Sequence, residues 1–247
     1  RLMLLLLTRP MADAMVVAEQ LAGQGHDVLL SPLIDISLDR EAVLPPLDAQ
    51  RALAFTSANG VRALMAQLQA GNLASADRAA WRNLPVFAVG PQTAAAAQAA
   101  GFAKIRQAGG DVAALAALIA RHKDEAAPVL HIAGRDRAGD LAALLDEKAV
   151  AASRAVLYRA DAAHAFSDAA AAALRDAAEP VDGVLLYSQR SAVIFLSLYE
   201  TLSPHQAPRP TAFCLSQPIA AAMRAAGFQA VAPRRAESEA LLALLAV

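Results

Sequence analysis

The stretch FAVGPQTAAAAQAAGF at residues 87–102 returns as FCLSQPIAAAMRAAGF at residues 213–228. Both copies read the same way: a short apolar run, a turn holding a proline, an alanine-rich helix and a glycine stop. Working outward, FTSANGVRALMAQL (55–68) returns as LYSQRSAVIFLSLY (186–199), and DVAALAALIA (111–120) as SEALLALLAV (238–247). LLTRPMADAMVVAEQLAG (6–23) returns as HIAGRDRAGDLAALLDEK (131–148). A repeat this long is not a solenoid period. It predicts two similar domains, with the cleft between them as a place to bury a small molecule.

Strands are expected at 2–7, 27–31, 52–56, 86–89, 129–133, 183–187, 211–215 and 229–232, each bounded by Gly, Pro or polar residues. Helices are expected at 11–23, 59–69, 91–100, 111–122, 137–148, 164–177, 189–202, 217–226 and 236–245. Ser57 stands ahead of its helix and Pro91 in the first turn of another, while Gly101 and Gly227 follow theirs as left-handed stops. Asp111 and Ser238 stand near the starts of the fourth helix in each repeat. The βα alternation argues for parallel sheets with helices on both faces, and four βα steps per repeat make each α/β domain flavodoxin-like. LIDISL (33–38) and AVLYRAD (155–161) break the alternation at equivalent points and read as a two-stranded connector. Two connectors allow two crossings. The first βαβ segment then packs either with the stretch that follows it or with the second half of the chain.

The 247 residues suffice for two domains of roughly 100–150 residues each. Hydrophobic residues make up 57%, ample for two cores, and much of that is helix-favouring alanine. The net charge of −1 gives no case for nucleic acid, so an anionic ligand has to be met by local donors. Cys214 is the only cysteine, which excludes an intrachain disulfide and fits a cytoplasmic location. The run LMLLLL (2–7) falls far short of the ~20 apolar residues a membrane helix needs. No small-residue cleavage site follows it, so it reads as a buried strand, and no membrane contact is expected.

In an open α/β sheet, ligands bind beyond the carboxyl ends of the strands. The turns there are TRP (8–10), FTSANG (55–60), VGPQT (89–93), GRDR (134–137), YSQRS (187–191) and LSQPI (215–219). They are rich in Ser, Thr, Gly and Asn and precede helices, whose first amides attract carboxylates and phosphates. Arg9 and Arg135 stand at equivalent positions and add charge. Capping alone accounts for any one turn. The convergence of the whole set at one edge points to a ligand. There is no GxGxxG after a strand, no GxxxxGK[ST] and no GxSxG. His26, His122, His131, His164 and His205 lack metal-ligand spacing, and no metal is expected. His131 reads as a satisfied core or edge histidine, Cys214 as an inert buried thiol, and Asp136 and Asp140 as a solvated helix start. Tyr158, in the second connector, is either a packing ring or a phenol that donates one hydrogen bond and accepts others.

LLTRP (6–10), SPLIDI (31–36), FTSANGVRAL (55–64), FAVGPQTAAAAQAAGF (87–102), AVLYRA (155–160), YSQRSAVIFL (187–196) and LSQPIAAAMRAAGF (215–228), in this order, resemble the uroporphyrinogen-III synthase family over essentially the whole chain. The resemblance implies two α/β domains joined by a two-stranded ladder. One would be residues 1–34 plus 161–247 and the other an inserted domain at 38–156, with 35–37 and 157–160 as connectors. It implies a lyase of porphyrin and haem biosynthesis that takes hydroxymethylbilane, a linear tetrapyrrole with eight carboxylates. Loss of the hydroxyl gives an azafulvene cation, ring D attacks to form a spiro-pyrrolenine, and reclosure leaves ring D inverted. No metal or organic cofactor is implied. A transient contact with the preceding pathway enzyme belongs to the same expectation.

Tyr158 matches the connector tyrosine of the family, although Ala160 replaces the usual small hydroxyl residue. It is the expected catalytic group, assisting departure of the hydroxyl directly or through water. The expected substrate-binding residues are Arg9, Thr56, Ser57, Asn59, Gly90, Thr93, Arg135, Ser188, Gln189 and Ser216. Of these, Ser57, Thr93 and Ser188 match cleft-facing hydroxyls. Where the family often has a GPTT-like turn, this chain has Ser216 and Ile219, which leaves that contact to backbone amides. The alternative is a non-catalytic two-domain binder of an anionic small molecule. A nucleotide-sugar transferase would need a diphosphate loop that the sequence lacks.

Overall fold

The structure is a computed structural model that describes residues 2–39, 41–70, 74–136, 139–202 and 207–245. In chain order the strands are β1 Leu4–Leu7, β2 Asp27–Leu30, β3 Ile34–Leu38, β4 Ala52–Phe55, β5 Val86–Ala88, β6 Ile105–Gln107, β7 Val129–Gly134, β8 Ala152–Ala162, β9 Gly183–Leu186, β10 Thr211–Cys214 and β11 Ala230–Val231. The helices are α1 Met11–Gly23, α2 Ala58–Ala70, α3 Ser75–Asn83, α4 Pro91–Ala99, α5 Val112–Ala120, α6 Lys123–Ala126, α7 Leu141–Asp146, α8 Asp168–Arg175, α9 Gln189–Leu202, α10 Gln217–Ala225 and α11 Ser238–Leu242. The chain divides into two compact units, Arg1–Asp35 with Asp161–Val247, and Ile36–Ala160.

The first unit holds a sheet in the order β11-β10-β9-β1-β2, with every pair parallel. Counted along the chain this is the 2-1-3-4-5 order of flavodoxin. In the second unit β6-β5-β4-β7-β8 form the same parallel array, but the chain enters it at the central strand β4. One unit is therefore a cyclic permutation of the other. β9 takes the place of β4, β10 of β5, β11 of β6 and β1 of β7. β3 lies along the outer edge of β8. Asp39 N donates to Leu157 O at 2.8 Å and Ala163 N to Leu33 O at 3.0 Å, so these two strands run in opposite directions. The chain passes from one unit to the other within β3 and returns within β8.

Parallel strands covered on both faces must be apolar on both, and β1 (LLLL) and β4 (ALAF) are. Their alternation sorts the side chains. In the first unit Leu6, Val184, Leu186, Phe195 and Phe228 pack on one face, and Leu5, Leu7, Leu185, Phe213 and Leu241 on the other. In the second, Leu53, Phe55, Leu130 and Ile132 oppose Ala52, Ala54, Phe87 and Val129. Burying each Leu or Phe contributes about 1.5–3 kcal/mol.

The repeated helix stops close alike. At Gly101 (φ +90°) and Gly227 (φ +81°) the chain turns left-handed. Gly101 N donates to Gln98 O and Phe102 N to Ala97 O; Gly227 N donates to Arg224 O and Phe228 N to Met223 O. This double bond pattern satisfies the last helical carbonyls and tucks a buried phenylalanine under each end.

Among the described residues, some elements go beyond the sequence expectations. β6 is a three-residue edge strand, half-buried at Ile105 and exposed at Arg106 and Gln107, with too short a pattern to read. α3 buries Trp81, which anchors it in the second unit's core, and no other side chain. α6 is a single turn. The helix expected at 137–148 is α7, and its first two positions lie outside the described residues, as does His205.

Gly183 in β9 lies under Phe213 and Leu5. A methyl there would sit 2.6 Å from Phe213 Cε2 and 3.0 Å from Leu5 Cδ2. Overpacking of this kind costs about 1–3 kcal/mol. Gly183→Ala should therefore lower the urea midpoint with an unchanged denaturant slope; a midpoint equal to wild type would mean that the sheet relaxes around the methyl.

Candidate functional site

Ligands of an open parallel sheet sit beyond the strand carboxyl ends, at the point where neighbouring connections diverge. In the second unit that point lies between β4 and β7. The β7–β8 ladder slips there: Ala133 pairs with Val156, but Gly134 pairs with Tyr158. The slip lays the Tyr158 ring on Gly134, where an added Cβ would fall 2.8 Å from Cε2. Arg135 N donates to Tyr158 O at 2.8 Å, and the Arg154 guanidinium donates to the Gly134 and Arg135 carbonyls. The Tyr158 phenol lies beside Ser57. Burial raises its pKa, against the opposing pull of Ser57, the Gly134 backbone and the Arg154 charge, so the hydroxyl keeps its proton through the neutral range. Tyr158 and Arg135 line a groove of about 430 Å³ together with Ser37, Leu38, Asp39, Glu41 and Arg159.

The other expected residues of this unit surround the same edge. Ser57 Oγ accepts from Asn59 N at 3.1 Å, which opens α2. The Asn59 side chain accepts from Arg62 at 2.7 Å. Thr56 Oγ1 lies 3.3 Å from His131 Nε2. Gly90 begins α4 without a side-chain cap, leaving the first-turn amides of Gln92 and Thr93 for a ligand. The Thr93 side chain is buried, so its amide and not its hydroxyl is what the edge presents.

The first unit carries its own set at the matching edge. Arg9 is buried, paired with Asp13 at 3.2 Å and stacked over the Tyr187 ring at 4.3 Å. Ser188 Oγ accepts from Ser191 N at 3.0 Å and lies 2.8 Å from Ser191 Oγ. Gln189 is exposed. Ser216 starts α10 without a side-chain cap bond, and Ile219 is buried in the core.

Arg9 and Arg135 are not equivalent. Leu5 pairs with Gly183 and Val129 with Ala52, and Gly183 and Ala52 are matching positions of β9 and β4. Leu5 thus matches Val129, which sets Arg9 level with Ala133 and leaves Arg135 further on, exposed. Nor is His131 a satisfied core histidine. It is 6% exposed, and its Nδ1 has no hydrogen-bond partner among the described residues. Arg154 gives no sign in the sequence, since nothing in a strand sequence shows which carbonyls an arginine will clamp. His131 did leave a trace: the register sets it level with Leu7 of the all-leucine β1.

Burial first, and then the Arg154 charge, lower the His131 pKa to about 4, against an opposing pull from Asp140. A histidine protonated more readily unfolded than folded removes stability as pH falls. Nothing is lost above the unfolded value of 6.5, and the loss is complete near 4. It amounts to roughly 3 kcal/mol. His131→Leu should flatten the acid side of a plot of urea midpoint against pH across that window. Parallel curves for variant and wild type would mean that His131 titrates normally.

Among the described residues no three or more His, Cys, Asp or Glu side chains gather as if to hold a metal ion, and no helix is long and apolar enough to cross a membrane. A family model described as uroporphyrinogen-III synthase HemD matches residues 15–243. The uroporphyrinogen-III synthetase of Helicobacter pylori shares 20% identity and a TM-score of 0.67, over 100% of this chain and 99% of that one. A mutant uroporphyrinogen III synthase from the extremely thermophilic bacterium Thermus thermophilus shares 17% identity and a TM-score of 0.55, over 99% and 96%. At such identities these structures speak for the fold. No curated protein matches the sequence. The family match, spanning nearly the whole chain, carries the assignment: this chain belongs to the uroporphyrinogen-III synthase family.

Proposed function

We propose that the chain cyclises hydroxymethylbilane, a linear tetrapyrrole with eight carboxylates, to uroporphyrinogen III, with loss of water and inversion of ring D through a spiro intermediate. In this reading it is a carbon–oxygen lyase of haem and porphyrin biosynthesis. The observation that carries the chemistry is the buried Tyr158 phenol, seated on Gly134 beside an open groove.

Breaking the C–O bond pushes pyrrole nitrogen electrons into an azafulvene and sends off a hydroxyl that needs a proton. Tyr158 delivers that proton directly or orients a water that does, and is left as the phenolate. The proton is returned when the unsubstituted ring D carbon loses its hydrogen at reclosure. The rest of the task is geometry. The unassisted bilane closes without inversion, so holding ring D with its substituted carbon toward the azafulvene decides the product. Positioning of bound groups can supply several kcal/mol of this.

The carboxylates are met by donors at the strand ends. In the second unit these are Thr56, Ser57, Asn59, Arg135 and the α4 amides that follow Gly90 and include Thr93. In the first unit they are Ser188, Gln189, Ser216 and Arg9, whose guanidinium is already shared between Asp13 and Tyr187 and yields to a carboxylate only in competition with them. The reading requires no cofactor. Because free bilane closes wrongly, a transient contact with the enzyme that makes it belongs to the proposal. So does a cytoplasmic location, which the single, free and buried Cys214 supports.

Incubation with freshly made hydroxymethylbilane should yield mainly the type III isomer; a product mixture left as the uncatalysed type I would overturn the reading. Tyr158→Phe keeps the ring on Gly134 and removes only the donor. Turnover should fall ~10²–10⁴-fold with product affinity nearly unchanged. Wild-type turnover in this variant would reduce Tyr158 to packing.

A further inference from the structure

We infer that His131 is a positioning residue: it donates from Nε2 to Thr56 and so commits the Thr56 hydroxyl to act as a donor toward an anionic group of the substrate at the carboxyl edge of the second unit's sheet. The inference deepens the reading above and rests on it for the identity of the anion. Three observations bear on it.

The first is the break in the repeat. The β1–β9 and β4–β7 registers set His131 level with Leu7, which is fully buried in the first unit. A leucine meets every requirement of the fold at this level. The imidazole is buried with one nitrogen unmatched among the described residues, which lowers stability, and packing gives no reason for it.

The second is geometry. His131 lies between Ala54 of β4 and Arg154 of β8 in the ladder. Strand alternation puts Thr56, two residues beyond Ala54, on the same face, with Nε2 at 3.3 Å from its oxygen. Thr56 is the first residue past β4 and half-buried, at the strand end where a ligand of an open sheet sits.

The third is the proton count. A neutral imidazole carries one N–H. With the hydrogen on Nδ1, a buried donor would have no acceptor among the described residues, which is the rarer kind of unmatched group in folded proteins. With the hydrogen on Nε2, the unmatched atom is only a lone pair, and the ring donates to Thr56 Oγ1. One threonine lone pair is then occupied, and its own O–H is free to donate outward. A carboxylate, which only accepts, is the group that such a hydroxyl selects. Burial and the Arg154 charge keep the ring neutral, so this donor does not change with pH across the neutral range. His131 acts through Thr56 and does not touch the reacting atoms.

The tautomer can be read by long-range 1H–15N correlation on the full-length protein at neutral pH, with His131→Gln identifying the His131 signals. An Nε2–H imidazole is expected. An Nδ1–H or a protonated ring would overturn the inference, whether or not the protein makes uroporphyrinogen III. In steady-state assays with hydroxymethylbilane, Thr56→Val and His131→Leu should each raise KM by about three- to tenfold, with kcat falling by less. The double variant should be no worse than the poorer single one, because both remove the same bond. His131→Gln, which keeps an N–H donor, should recover part of the loss. Multiplicative effects in the double variant, or wild-type KM in a folded His131→Leu protein, would remove His131 from substrate recognition. Should His131→Leu fail to fold, the wild-type tautomer and the comparison of His131→Gln with Thr56→Val still decide.

Discussion

The parallel pairing of β1 with β9, Leu5 against Gly183 through Leu7 against Leu185, is the constraint on which the rest of the structure depends. Both strands are buried on both faces, so neither can leave its backbone amides and carbonyls unpaired without a penalty of about 1–3 kcal/mol for each group. Each also sits in the middle of its sheet, between two further strands. Joining the front of the chain to its last third forces everything between them to leave the first unit and come back. β3 carries the chain out and β8 carries it home, and their opposite directions follow from that path. Tyr158 lies on the returning strand, at the level where its ladder slips past Gly134.

The two units share one strand order and one set of helix stops, yet their polar groups differ. The first unit has Leu7 where the second has His131, and Tyr187 where the second has Thr56. Its arginine is folded inward onto Asp13 and Tyr187. The second unit gathers His131, Thr56, Ser57, Arg154 and Tyr158 at a single sheet edge. Duplication explains the apolar frame, since any copy of a buried strand must stay buried. It does not explain a half-matched imidazole or a phenol lodged on a glycine. Those are features in which local polar chemistry overrides the packing preference of the fold.

Elements whose residues carry their own signals were legible. The β5–α4 and β10–α10 steps hold an apolar run, a first-turn proline and a left-handed glycine, and each signal acts over a few residues. β6 and α3 were not legible. β6 is exposed along most of its length, and α3 buries Trp81 with no second large apolar residue, so neither has a periodic apolar pattern to betray it. At the candidate site, the Ser, Thr and Gly turns could be read as helix starts, but the state of each side chain could not. That Arg9 is occupied, that Thr93 is buried and that His131 has an unmatched nitrogen are facts about neighbours distant in sequence.

The sequence by itself determined the alternation of strand and helix, the duplication and the turns at the strand ends, because periodicity, capping and glycine conformation are properties of neighbours along the chain. The apolar pattern left open whether β1 joins the strands that follow it or those of the last third, since both offer the same parallel edge, and the family resemblance alone implied the last third. The tertiary structure decided that pairing, and with it which polar groups meet: the slip that seats Tyr158 on Gly134, the arginine that clamps the slipped carbonyls and the imidazole that reaches Thr56. Strand pairing joins residues far apart in sequence, and its specificity lies in side chains that fit only once both strands are in place.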